Sequence, residues 1–282
     1  MSAARYSPWE FVCYLHALQA KAGQVALKQY VSSTISNGGN DSTYELFKSL
    51  RWYHEGGNEN AQTMNQMIGG KNLDLALKGQ GSGPTFIQVF DFMCRNKELL
   101  KKLKLTVYAR RAKSDPESKV FVKKGNLYDL YFANYTEQGA LECMVADHFF
   151  GIDCIGFTGQ FLVYTGEWPA YVGTLPRDWA DKHCKIPINE AKEIRALDFL
   201  VWVGAGHIAI VDEVFDMPDG KTVRVDICQS SSGGPQLNQW VLLQETKHSS
   251  FGRTHYKILH RGTPAMPVSS DVYVMRRKDF YY

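Results

Sequence analysis

The sequence predicts an α+β fold, and three observations carry that expectation. Apolar residues recur at helical spacing through the first part of the chain, a run of strand-like segments fills the last part, and no internal repeat interrupts the order. Pro8, in a first turn after Ser7, opens a helix along Phe11, Val12, Leu15 and Leu18 that ends near Gly23. Asp41 or Ser42 caps a second helix through Leu46, Phe47 and Leu50, stopped by Gly56-Gly57. From Thr85 a third carries Phe86, Val89, Phe90, Met93, Leu100 and Leu103, an apolar stripe that needs a partner surface. Ser114-Asp115-Pro116, in a polar stretch that also reads as a long loop, sets the boundary between an N-terminal helical region over 1–118 and a second domain over 119–282.

Within that second domain Glu137–Phe150 and Cys154–Tyr164 read as helices. Phe199–Val203, His207–Phe215, Thr222–Cys228, Gln239–Gln244, His255–Leu259 and Val272–Met275 then read as strands, rich in β-branched and aromatic residues. Pro218-Asp219-Gly220 supplies a hairpin turn.

Composition narrows the function classes. An apolar fraction of 44% and a charged fraction of 22% are those of an ordinary globular chain. A net charge of +3 with only one dense basic stretch, Lys97–Lys104, fits a solvated helix face, and no nucleic-acid-binding module accompanies it. No apolar run reaches the roughly 18 residues of a membrane span, and Met1–Glu10 lacks the basic-then-apolar layout of a secretory signal. The expectation is a chain synthesised in the cytoplasm without a signal peptide; if it works elsewhere, a dedicated secretion system delivers it. Six cysteines lie far apart with no CxxC pair, and His183-Cys184, His248, His255 and His260 have no partners at metal-site spacing, so neither metal nor cofactor is expected. Gly79–Pro84 is glycine-rich but lacks the Lys-Ser/Thr of a phosphate-cradling loop.

Two stretches carry chemistry. Phe150–Phe157 puts Cys154 at the start of a helix, where unpaired N–H groups and the positive dipole end stabilise a thiolate. Taken singly, a cysteine beside Gly and Phe is more often a buried hydrophobe. Arg195–Val211 reads as a strand, the turn Gly204-Ala205-Gly206, and a second strand opened by His207, which is placed to act as general base toward a thiol on a facing helix.

Asp153-Cys154-Ile155-Gly156-Phe157 resembles the D-C-S-G-F/L nucleophile motif of the NlpC/P60 family within the papain-like superfamily. Leu197-Asp198-Phe199-Leu200 is similar to that family's G-D-L-V strand, Gly206–Val211 to its G-H-V-G-I-V base motif, and Tyr273–Arg277 to a closing strand with Arg. Ile155 in place of Ser and Leu197 in place of Gly mark a divergent branch. The resemblance implies a papain-like core, a nucleophile helix packed on an antiparallel sheet, with Cys154 as nucleophile and His207 as base. It also implies a third polar residue on the strand after the histidine. Gln229 is the first choice, its side-chain oxygen accepting the His207 Nδ1–H, and Asp226 is the rival; alternation points the two to opposite faces. The Cys154 N–H would serve one half of an oxyanion hole, with His148, Tyr128 or Tyr131 as the other donor.

By the same resemblance the expected activity is that of a cysteine peptidase or amidase. Peptidoglycan peptide is the substrate the resemblance leads one to expect, as for a bacterial effector or a phage-type lytic enzyme with a cognate immunity or secretion partner. Two other readings stand beside it: a deamidase, transglutaminase or acyltransferase acting on a protein or lipid through the same thioester, and a binding protein that keeps the fold without catalysis.

Overall fold

The computed structural model describes residues 6–29, 34–36, 51–52, 62–63, 73, 75–111, 121–172, 175–204, 206–215, 219–231, 233–264 and 271–278. The helix expected over 41–50 and the expected boundary at 118 lie outside them. The chain forms two compact units, one of residues 15–153 and the other of residues 1–14 with 154–282.

Helix α1 (Pro8–His16) is shorter than its apolar spacing suggests. Beyond His16 the chain turns into a hairpin of β1 (Leu18–Ala20) and β2 (Gly23–Val25), so Leu18 is buried from a strand. Strand rather than helix also occurs in β3 (Lys28–Gln29), β4 (Thr34–Ser36), β5 (Arg51–Trp52) and β6 (Gln62–Thr63), which corrects the all-helical reading of this region. The third expected helix is two, α2 (Gly83–Arg95) and α3 (Lys97–Leu103), broken at Asn96. Ser82 caps α2 with its hydroxyl on the Thr85 N–H. In α3, Lys97 pairs with Glu137 at 2.5 Å and Lys101 lies over the Tyr128 ring, so the basic stretch is held locally.

Strands β7 (Thr106–Arg111) and β8 (Phe121–Asn126) then lead to α4 (Leu127–Tyr131) and α5 (Glu137–Ala146). The unit closes with β9 (Gly151–Ile152), parallel to β3.

The second unit begins its long segment with α6 (Cys154–Tyr164), buried on nearly every side. Phe11 of α1 packs against Phe157 and Phe161, at 5.3 and 5.8 Å between ring centroids. The Trp9 N–H at the start of α1 finds its acceptor in Asp212, 2.9 Å away on a distant strand. Gly159 is needed for close approach, because a side chain there would drive into the Tyr171 ring.

Helix α7 (Pro176–Trp179) and β10 (Ile186–Ile188) precede the main sheet, formed by β11 (Phe199–Trp202), β12 (Ile208–Phe215), β13 (Thr222–Ser231), β14 (Gly234–Ser250), β15 (Arg253–Thr263) and β16 (Asp271–Arg276). These strands overturn the expected papain-like core of a helix on a sheet. Each pairs antiparallel with its successor, and β16 pairs with both β15 and β11, so the six close into a barrel with β10 added outside on β16. Register shifts in the β12–β13, β13–β14 and β14–β15 ladders supply the extra twist and bend that closure requires. Leu200, Val211, Val225, Ile227, Val241, Leu243, Tyr256 and Val274 belong to the buried cluster that fills it. Among the described residues no helix is long and apolar enough to cross a membrane.

One ion pair ties the first barrel strand to the last. Asp198, with no exposed surface, receives Arg276 Nε at 2.7 Å and Nη2 at 2.8 Å, and the Arg195 N–H at 2.9 Å. The two motifs that stand at 198 and 276 in the sequence therefore meet as a bidentate bridge at the β11–β16 seam. Leu197, next to it, has φ +70°, the left-handed region where glycine is at ease.

Candidate active site

The site is built at one end of the barrel. Ala209 and Val211 of β12 face the interior, so alternation turns His207 the same way at the strand's mouth; Val225 and Ile227 do the same for Gln229 on β13. There the imidazole meets the amide: His207 Nε2 is hydrogen-bonded to Gln229 Oε1. The nitrogen differs from the expected Nδ1: the ring meets the β13 amide through Nε2. Gln229 has no exposed surface, and its Nε2 donates to Asn238 Oδ1 at 2.6 Å. Trp202 flanks the imidazole, ring centroids 4.8 Å apart and nearly perpendicular.

Burial holds the His207 pKa below the ordinary histidine range, and the Gln229 hydrogen bond opposes this in part. The imidazole is therefore neutral near pH 7, the form that accepts a proton. The loop before it runs through Gly204 at φ +75° and Gly206 at φ +64°. A Cβ at either would meet nothing within 4 Å, so these glycines serve backbone conformation rather than space.

Cys154 stands at the first residue of α6, partly exposed, with its Sγ 3.9 Å from the carbonyl oxygen of Gly206. The thiol thus reaches the residue preceding His207, and the structure brings together Cys154, the His207 loop and Gln229. It does not add Asp226. That residue faces away from Gln229 across the strand, and its Oδ1 accepts the Trp240 N–H at 2.8 Å. Other cysteines have different surroundings: burial pushes the Cys94 thiol up to about 12, and raises those of Cys184 and Cys228 further.

His148, Tyr128 and Tyr131 belong to the unit of residues 15–153, where each has a local role. His148 has φ +56° just past α5; its N–H bonds Val145 O at 3.0 Å and the Phe149 N–H bonds Met144 O at 2.9 Å. That is the Schellman end of a helix, a position usually given to glycine or asparagine. Tyr128 lies in the first turn of α4 under Lys101, and Tyr131 donates to Asp147 Oδ2 at 3.3 Å.

A pocket of about 330 Å³ opens beside Trp202 and Gly204, walled further by Arg253, Tyr273 and Phe251; Cys154, His207 and Gln229 do not line it. Sequence reasoning missed Asn238. A register shift between Val225 and Ile227 places Asn238 opposite Ile227, on the interior face, where plain alternation from Val241 would turn it outward. Among the described residues, no group of three or more His, Cys, Asp and Glu side chains is arranged to hold a metal ion.

No family model, no curated protein and no solved structure matches this chain.

Proposed function

We propose that this protein is a cysteine hydrolase that cleaves amide bonds through a thioester on Cys154. The observation that carries the reading is the buried Gln229 side chain on His207 Nε2, one residue from the carbonyl that Cys154 Sγ approaches. A nucleophile beside a base, and a base held by a third group, is the arrangement that nucleophilic catalysis needs.

The steps follow from the atoms present. Nδ1 of neutral His207 takes the Cys154 thiol proton as sulfur attacks the carbonyl carbon, giving a tetrahedral oxyanion. The Cys154 N–H, at the first residue of α6, is the proposed donor to that oxyanion. Collapse breaks the C–N bond, and the amine leaves with the proton from His207. Water then attacks the thioester, His207 takes its proton, and the acid is released as the thiol is restored.

Peptidoglycan peptide is the substrate that the motifs around Cys154 and His207 favour. Sacculi digested with the wild-type protein and with Cys154→Ala, compared by mass spectrometry, test this. New peptide fragments that carry a freed amine, seen only with wild type, support the reading; identical digests refute that substrate.

A further inference from the structure

We propose that Asn238 is a positioning residue for His207: tied to the Pro264 carbonyl and turned inward by a β-bulge that Asp226 latches, it dictates, through Gln229, which imidazole nitrogen carries the hydrogen.

The argument starts from the one group in the chain of contacts whose role admits no choice. A backbone carbonyl only accepts, and Pro264 O is bonded to the Asn238 amide, which must therefore present Nδ2 to it. Asn238 Oδ1 then faces the other way and accepts from Gln229 Nε2 at 2.6 Å; Gln236 Nε2, itself held by Ser231 Oγ at 2.8 Å, adds a second donor at 3.2 Å. With its nitrogen so used, Gln229 can show His207 only Oε1, and Oε1 requires a hydrogen on Nε2. Nδ1 is left with a lone pair.

The opposite arrangement fails at Pro264. A hydrogen on Nδ1 would call for Gln229 Nε2 toward the ring, then Asn238 Nδ2 toward Gln229, and finally Asn238 Oδ1 against the Pro264 carbonyl oxygen, lone pair to lone pair. Gln229 and Asn238 have no exposed surface, so water does not reach their amides, and the mismatch falls at the part-buried contact with Pro264. One such mismatch biases the tautomer by roughly fivefold or more.

Asp226 enters through the backbone. The ladder between β13 and β14 steps from Val225–Val241 to Ile227–Asn238, two residues against three, and Trp240 within the bulge has φ +68°. Asp226 Oδ1 accepts the Trp240 N–H at 2.8 Å, and the Arg224 guanidinium lies over the Trp240 ring, 5.2 Å from its centroid. Without the extra residue, Asn238 would face outward and the connection to Pro264 would be lost. Asp226 thus acts on His207 through Trp240 and Asn238, from the opposite face of the strand.

The consequence for catalysis rests on the reading of His207 as base; the tautomer itself does not. The test uses the full-length protein with ¹⁵N-labelled histidine, the His207 ring assigned by its loss in His207→Gln. Long-range ¹H–¹⁵N spectra report which nitrogen is protonated, and iodoacetamide alkylation, read at Cys154 by peptide mapping because Cys13 is also exposed, reports the thiol. Wild type is expected to show hydrogen on Nε2 alone. Asn238→Ala and Asp226→Ala are expected to show both tautomers and to slow alkylation about two- to tenfold, whereas Asp226→Asn, which keeps the acceptor oxygen, retains the wild-type spectrum. If Asn238→Ala does not fold, Asp226→Ala, which substitutes no member of the relay, carries the test. Hydrogen on Nδ1 in wild type, or an unchanged Nε2–H tautomer in both alanine variants, overturns the proposal. A Cys154 that alkylates like an ordinary thiol in wild type would count against the hydrolase reading and leave the tautomer result standing.

Discussion

Replacing Gln229 with leucine removes both ends of the amide at nearly constant volume, and the structure sets what each end costs. Asn238 Oδ1 loses its 2.6 Å donor but keeps Gln236 Nε2 at 3.2 Å, so that side is nearly neutral. His207 Nε2–H loses its acceptor in a partly buried position, a loss of about 1–3 kcal/mol. At about 2–4 °C per kcal/mol the melting temperature should fall by roughly 2–12 °C. The proton chemistry changes in a more telling way. The Gln229 bond raises the His207 pKa against the lowering effect of burial, so its removal moves the pKa further down. The acid limb of a kcat/KM or Cys154-alkylation profile should therefore shift to lower pH. The plateau should drop about ten- to a hundred-fold, because nothing fixes the ring or its tautomer. A plateau within twofold of wild type, or an acid limb displaced upward, would refute the role assigned to Gln229.

Leu197→Gly should relieve the left-handed strain at φ +70° and, after the loss of a half-buried side chain, leave stability unchanged or raise it by up to about 1 kcal/mol, as measured by urea unfolding. Asp198→Ala strands the Arg276 guanidinium at the barrel seam and should destabilise by about 3–5 kcal/mol; a change under 1 kcal/mol would mean that solvent replaces the carboxylate. Gly206→Ala puts a Cβ into open space but at φ +64° beside the base, and should cost about 1–2 kcal/mol and slow Cys154 alkylation. His207, whose pKa is lowered on folding, contributes stability that is present above the ordinary histidine pKa and is lost as pH falls through its lower folded value; His207→Gln should flatten that part of the stability curve.

The strands of the barrel were legible because each alternates β-branched and aromatic residues between turn signals, and Cys154 and His207 were legible because a helix start and a glycine-bracketed strand mouth are local features. Closure was not. It depends on β16 reaching both β11 and β15, through ladders whose bulges add residues that no periodicity displays. The N-terminal strands escaped for a related reason: segments of two or three residues, such as Leu18–Ala20, are too short to break a helical spacing. His148, expected as an oxyanion donor or as a polar residue at a helix end, has its backbone in a helix cap.

By itself the sequence determined which residues carry reactive groups and on which local elements they sit, since both follow from neighbours within one turn or one strand. The tertiary structure decided which nitrogen of His207 meets Gln229, which of Gln229 and Asp226 faces the imidazole's side of the sheet, and that Asn238 stands behind them. Those outcomes turn on a single bulge at Trp240 and on a carbonyl at Pro264, contacts between residues far apart in the chain. Register and hydrogen-bond direction are properties of paired strands, and no strand carries them alone.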